Sequence, residues 1–157
     1  MKTKSCVILA AFIAASIGAP AVTAQSTEHQ RIVTPNDLKW MDLGSLPAGA
    51  KVAVIEGDPN KEGTVTIRVK LPPNYRIAPH YHSTVERSTI MSGTLNIGMG
   101  EKFDTQKPSP LPPGTVLLMP PKMAHFAWTK DEVIFQLNVV GPWTVTYVNP
   151  ADDPRKK

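Results

Sequence analysis

The sequence is nearly devoid of cysteine: among 157 residues only Cys6 carries a thiol. Cys6 lies in an N-terminal segment expected to be removed, so disulfides and thiolate chemistry are excluded from the remaining domain. Helical periodicity is missing throughout, which removes the crossover helices that a parallel sheet would need. No apolar run reaches the roughly 20 residues of a transmembrane helix. Charge of one sign is not in large excess. The formal balance is +4, Lys2 and Lys4 fall in the removable segment, and part of the remaining excess sits in the Arg155-Lys156-Lys157 tail. Nucleic acid is therefore not an expected partner. No internal repeat is visible, and the length fits one domain with one core.

What is present begins with a secretory signal. Met1, Lys2 and Lys4 precede an apolar run from Val7 to Ala19, and small residues surround Ala21-Val22-Thr23-Ala24. This pattern predicts a signal peptide over residues 1–24, with cleavage after Ala24 and a soluble, secreted or periplasmic product without membrane attachment. A lipoprotein anchor would need its cysteine at the end of the apolar run, whereas Cys6 precedes that run. Residues 25–37 are polar and read as a flexible leader; a barrel domain is expected over residues 38–150 and a charged tail over residues 151–157.

From Leu38 onward the chain consists of short Val-, Ile- and Thr-rich runs broken by Gly, Pro, Asn and Asp. Thr64 to Leu71 places Val65, Ile67, Val69 and Leu71 on one face, the period of a half-buried strand. Further strands are expected at Lys51–Glu56, Arg76–His82, Glu86–Asn96, Gly114–Met119, Ala124–Thr129, Val133–Val140 and Thr144–Val148, roughly nine short strands in all. Lys102 to Pro113, with Pro108, Pro110, Pro112 and Pro113, lacks ladder donors at those positions and is expected to be a loop. The fold class is all-β, a sandwich or barrel.

Of the histidines, His29 lies in the leader while His80, His82 and His125 fall in or beside expected strands. His80 and His82 project to one face, about 6.5 Å apart along the backbone, so two imidazoles can reach one ion. Glu86 follows after a short turn and can bring a carboxylate to the same point; His125 must arrive from a distant strand, which barrel closure allows. Three imidazoles and a carboxylate suit Fe(II), Mn(II), Ni(II), Cu(II) or Zn(II), and not Ca(II) or Mg(II), which prefer oxygen.

At these residues the chain resembles the cupin superfamily. The first cupin motif, Gly-x5-His-x-His-x3,4-Glu-x6-Gly, is matched in spacing by Asn74, His80, His82, Glu86 and Gly93, with Asn in place of the leading Gly. The second, Gly-x5-Pro-x-Gly-x2-His-x3-Asn, is matched by Gly114, Pro120 and His125, with Lys122 at its second Gly and Thr129 at its Asn. The resemblance runs from about Leu38 to Val148. It implies a double-stranded β-helix (jelly-roll) barrel, one divalent metal held by His80, His82, Glu86 and His125 with Fe(II) favoured, and a homodimer. Asn tolerates positive φ better than other non-Gly residues, so the departures concern turns rather than ligands.

Other residues carry weaker signals. Phe126, Trp128, Met91, Met99, Phe135, Trp143 and Tyr147 either line a pocket or pack the core. Arg68 and Lys70 share a face and could bind a carboxylate or simply be solvated, Gln136 and Asn138 could hydrogen-bond groups behind the site, and Glu101 is the one carboxylate besides Glu86 near a motif. The apolar run Val116–Met119 fits burial on both faces or an ordinary buried strand. The expected function is a metal-dependent enzyme, dioxygenase-like, acting on a small organic molecule in the barrel. Lyase or isomerase chemistry, or a non-catalytic module that binds a small ligand or metal, are the alternatives.

Overall fold

The computed structural model describes residues 30–107 and 109–157. The signal segment, Cys6 and His29 lie outside the described residues. Within them lie eleven strands, of which β3 is the clearest case of β-branched residues alternating with polar ones. They are β1 Met41–Asp42, β2 Lys51–Glu56, β3 Gly63–Leu71, β4 Arg76–His82, β5 Glu86–Ser92, β6 Leu95–Met99, β7 Ser109–Leu111, β8 Val116–Met119, β9 His125–Thr129, β10 Val133–Gly141 and β11 Val145–Tyr147. They form two antiparallel sheets, one in the order β1-β2-β3-β10-β5-β8 and the other in the order β11-β4-β9-β6-β7. This is the jelly-roll architecture expected from the sequence.

The core forms where the inward faces of the sheets meet. The period-two face of β3 is buried as predicted, and Phe135 and Leu137 of β10 lie opposite Val69 and Ile67. The second sheet contributes Ile77, Leu95, Ala127, Val145 and Tyr147. Each such side chain taken out of water stabilises the fold by about 1.5–3 kcal/mol before entropy is counted. The segment before β2 closes one end of this interior. The Tyr147 hydroxyl donates to the Ser45 carbonyl at 2.9 Å, and the Tyr75 hydroxyl donates to that of Pro47. Burial raises the Tyr147 hydroxyl to about 12, so it remains a donor at any physiological pH.

Several expectations need correction. The run Glu86–Asn96 is not one strand: Gly93, at φ +72°, turns it into β5 and β6, which belong to different sheets. The Pro-rich loop contains a strand, because β7 is an edge strand in which Pro110 opposes Asn96, and an edge position does not need a donor on its free side. β1 was too short to be seen. Val116–Met119 is not buried on both faces: β8 is also an edge strand, and Val116 and Leu118 are 62% and 64% exposed. The charged tail folds back, with the Arg155 guanidinium donating to Asp153 and to the Val145 carbonyl at 2.8 Å.

The two positions where the cupin motifs have Gly are occupied by Asn74 and Lys122, and both adopt positive φ, 57° and 61°. The turn geometry is therefore kept without glycine, at the cost of local strain. Lys122 donates its backbone N–H to the His82 carbonyl at 3.0 Å, tying the turn before β9 to the strand that carries two histidines.

At Gly93 no such substitution is possible, since a Cβ there would collide with the Glu132 carbonyl oxygen. Gly93→Ala is expected to destabilise the fold by about 3 kcal/mol from strain and clash combined, read as a lower urea midpoint with an unchanged slope.

Candidate metal centre

β4 supplies His80 and His82 from alternate positions on its inner face. Neighbouring β9 supplies His125 directly opposite His80, and β11 flanks the other side with Tyr147 opposite His80 and Val145 opposite His82. Glu86 comes from the other sheet, at the start of β5. The turn that carries the chain across is pinned to the end of β10 and the connection after it: Thr84 Oγ1 donates to the Val140 carbonyl at 2.9 Å and Ser83 Oγ to that of Pro142 at 3.0 Å.

The three histidines therefore converge. Their ring centroids lie 4.3 to 5.1 Å apart, one ligand atom from each falls within 4.8 Å of the others, and all are almost fully buried. Glu86 Oε2 sits 2.7 Å from His82 Nε2 and 3.7 Å from His125 Nε2. Ser88, two residues along the same strand face and fully buried, donates its hydroxyl to Glu86 Oε1.

Hydrogen bonds behind each ring fix which nitrogen faces inward. His80 Nδ1 meets the Ala78 carbonyl at 2.8 Å, His82 Nδ1 that of Thr144 at 2.9 Å, and His125 Nδ1 that of Met123 at 3.0 Å. A carbonyl only accepts, so each Nδ1 carries the proton and each Nε2 presents a lone pair. His82 Nε2 is buried and has no donor to accept from; its close neighbour is a carboxylate oxygen, itself an acceptor. Lone pairs gathered without protons are costly unless a cation stands among them. The chemistry of the donor set thus fits a divalent transition ion, and this His cluster could hold one.

Charge on these groups follows from burial. Desolvation, then the neighbouring His125 and His82, push the His80 imidazole down to about 3, and desolvation also lowers His125. Burial alone would raise Glu86, but the adjoining His82 and His125 rings and the Ser88 hydroxyl outweigh it and hold the carboxyl at about 2.

An interior cavity of about 40 Å³ adjoins the cluster. Its polar lining is His80, His82, Glu86 and His125; the rest is apolar, including Leu43 and Leu46 from the plugging segment, Leu117, Phe135 and Trp143. This volume is far below the roughly 300 Å³ of a pocket for a drug-sized ligand, so only a small molecule enters without movement of the walls.

The remaining sequence candidates separate cleanly. Phe135 and Trp143 line the cavity and Tyr147 packs in the core, but Phe126 and Trp128 point away from the barrel interior, on the outer face of β9. Met91 and Met99 are exposed. Gln136 and Asn138 do not reach the site: they face outward and bond to Arg68 at 3.2 Å and Thr66 at 3.1 Å. Lys70 lies over the Trp40 ring, and Glu101 lines a surface cleft with Arg76. Ser88 was missed in the sequence, although its i+2 relation to Glu86 was the available signal.

No family model matches the chain, and no curated protein matches it. Among solved structures it is similar to the polyketide cyclase RemF from Streptomyces resistomycificus, with a TM-score of 0.68 and 16% identity over 82% of this chain and 92% of that one. It is also similar to an RmlC-like cupin from Ralstonia eutropha, with a TM-score of 0.61 and 16% identity over 80% and 76%. The DMSP lyase DddQ from Ruegeria pomeroyi gives a TM-score of 0.58 and 16% identity over 73% and 63%. At these identities the likeness shows the fold.

Two measurements follow from the site. Between about pH 6.5 and 3 the folded, metal-free protein keeps His80 neutral where the unfolded chain protonates it, so the unfolded state binds more protons. Stability in chelator should therefore be intact near pH 7 and fall steadily as pH drops through that window, seen as declining urea midpoints at pH 7, 5 and 4. Trp143 stacks on His82 with centroids 4.5 Å apart, and its indole N–H is buried without an acceptor. Trp143→Phe keeps a ring there and deletes the orphan donor, so the metal-free protein should lose no stability or gain about 1 kcal/mol, whereas Trp143→Ala should cost about 3 kcal/mol by urea denaturation.

Proposed function

Starting from a chain with the cupin fold, we propose that it is a metal-dependent enzyme of dioxygenase type that acts on a small uncharged organic molecule inside the barrel. The observation that carries this reading is the convergence of the cavity's polar wall groups, His80, His82, His125 and Glu86, on one place in an otherwise apolar lining. These residues would hold the ion, Glu86 as the fourth ligand, and Fe(II) is the metal proposed among those that a His₃Glu set accepts. When bound, the metal would supply Lewis acidity and open positions for substrate and O₂.

The chain's own residues account for the rest. Leu117, Phe135 and Leu137 keep bulk water out and favour an apolar body. No lysine or arginine stands in the cavity wall, so apart from the metal nothing there would compensate an ionic substrate for its lost hydration. Glu86 would be committed to the ion, and the Ser88 hydroxyl orients it for that by occupying Oε1 while Oε2 stays toward the histidines.

Lyase or cyclase chemistry is the second reading, favoured by the shared fold with RemF and DddQ. We further propose export, supported by the N-terminal apolar segment, and pairing with a second copy, supported by the free β8 edge with its exposed Val116 and Leu118.

Protein purified from the periplasm without chelator tests these points together. Elemental analysis should find nearly one iron per chain, lost in His82→Ala, on a mature chain whose mass begins at Gln25. O₂ uptake with small diketones and phenols should be substrate-dependent and fall at least about 100-fold in Glu86→Gln. Turnover without O₂ consumption would replace the dioxygenase reading with the lyase one; absence of turnover with Fe, Mn, Ni, Zn or Cu would leave a binding module.

A further inference from the structure

The outer face of the second sheet carries a feature that the barrel interior does not use. Register places Arg76 of β4, Trp128 of β9, Asn96 of β6 and Pro110 of β7 in one cross-strand row. One step along β9 lies Phe126, whose ring packs over Gly98, where a Cβ would collide with it. Phe103 from the β6–β7 connection lies 4.8 Å from Phe126 and 5.9 Å from Trp128, and Arg76 stands over Phe103 with 4.1 Å between guanidinium and ring centroid. This satellite cluster holds the arginine in place without neutralising it.

Beside the row runs a groove of about 570 Å³, walled by Trp128, Arg76, Asn96, Thr105, Asn74 and Lys130. Its volume is within the roughly 300–1,000 Å³ of small-molecule sites. It contains a guanidinium and an ammonium and no carboxylate, and among the described residues neither cation forms an ion pair. The corner is rigid: Thr129 Oγ1 donates to the Pro72 carbonyl at 2.7 Å and accepts from the Tyr75 N–H at 2.9 Å, beside Asn74 in its positive-φ conformation. Asn96 donates its amide to the Trp128 carbonyl at 3.4 Å and keeps its side-chain oxygen as an acceptor.

A half-buried indole flanked by an ordered guanidinium, a lysine and side-chain amides suits one class of ligand. We propose that this groove is a second binding site, separate from the barrel cavity, for a ring that carries a carboxylate. The flat ring face stacks on Trp128, the carboxylate meets Arg76 with Lys130 nearby, and ring hydroxyls meet Asn96, Thr105 and Asn74. An acidic saccharide and an aromatic acid share this chemistry. The open, amide-rimmed shape accepts either.

Calorimetric titration of the intact protein with a glucuronate-containing trisaccharide, the matching neutral trisaccharide and 2-naphthoate tests the proposal. Saturable binding of at least one acid is expected, at least tenfold tighter than the neutral sugar, and which acid binds identifies the source. Arg76→Gln and Trp128→Ala should each weaken that binding at least tenfold. Arg76→Gln gives up the contact with Phe103 at an exposed position but leaves the buried side chains in place, so it serves if Trp128→Ala folds poorly. No saturable heat with either acid up to 10 mM (about the weakest affinity of interest), equal binding of the neutral sugar, or unchanged binding in folded Arg76→Gln would overturn it.

Discussion

Three backbone carbonyls, those of Ala78, Met123 and Thr144, decide the chemistry of the barrel interior. Each accepts the Nδ1–H of one histidine and so turns an Nε2 lone pair inward. Neutral imidazoles used in this way would normally find donors, but Glu86 Oε2, 2.7 Å from His82 Nε2, only accepts when ionised. Without an ion, one proton must bridge that contact; with an ion, the proton is replaced and every lone pair has a partner. The arrangement is poor as packing and good as a ligand set, which is why burial in the core argues for a site rather than for satisfied structural histidines.

Those carbonyls are available because of where the chain turns. The Ala78 and Met123 carbonyls lie two residues before the histidines that they orient, so each local backbone aims its own ring. The Thr144 carbonyl belongs to the connection after Gly141-Pro142, held against the Ser83 turn by a 3.2 Å bond from Thr144 N to Ser83 Oγ. The same turn carries Glu86 from one sheet to the other. Orientation of His82 and delivery of Glu86 thus depend on one small knot of hydroxyl-to-backbone bonds, while the tyrosine-tied plug at Ser45 and Pro47 closes the cavity from another side.

Much of this was legible beforehand. His80 and His82 could be placed on one strand face by period two alone, and the inward face of β3 was fully specified by Val65, Ile67, Val69 and Leu71. Gly93 was recognisable as a turn, yet the strand it divides was read as continuous, because Thr94, Leu95 and Asn96 carry on the alternation. Pro110 misled for the opposite reason: proline forbids a central strand, and sequence does not reveal which strand will be an edge. Gln136 and Asn138 look able to bond groups behind the site, but they alternate with Phe135 and Leu137, the apolar residues that face inward, and so lie on the opposite face. Ser88 and the Thr144 carbonyl depend on contacts across 2 and 62 residues; the second is beyond any local pattern.

The strand β9 shows how one short segment serves two environments. His125, Ala127 and Thr129 face inward, and Phe126 and Trp128 outward; Phe126 is nonetheless 2% exposed because Phe103 covers it. Small Ala127 keeps the cavity open beside His125, while the bulky outer pair builds a cluster that orders Arg76. The interior is therefore apolar around a concentrated set of lone pairs, and the exterior is aromatic around unpaired cations. The two environments differ in the charges their side chains present: no lysine or arginine lines the cavity, whereas the groove has Arg76 and Lys130 and no carboxylate. Period-two alternation along one strand is thus what places a small apolar wall beside the histidines and an aromatic, cationic surface on the opposite side.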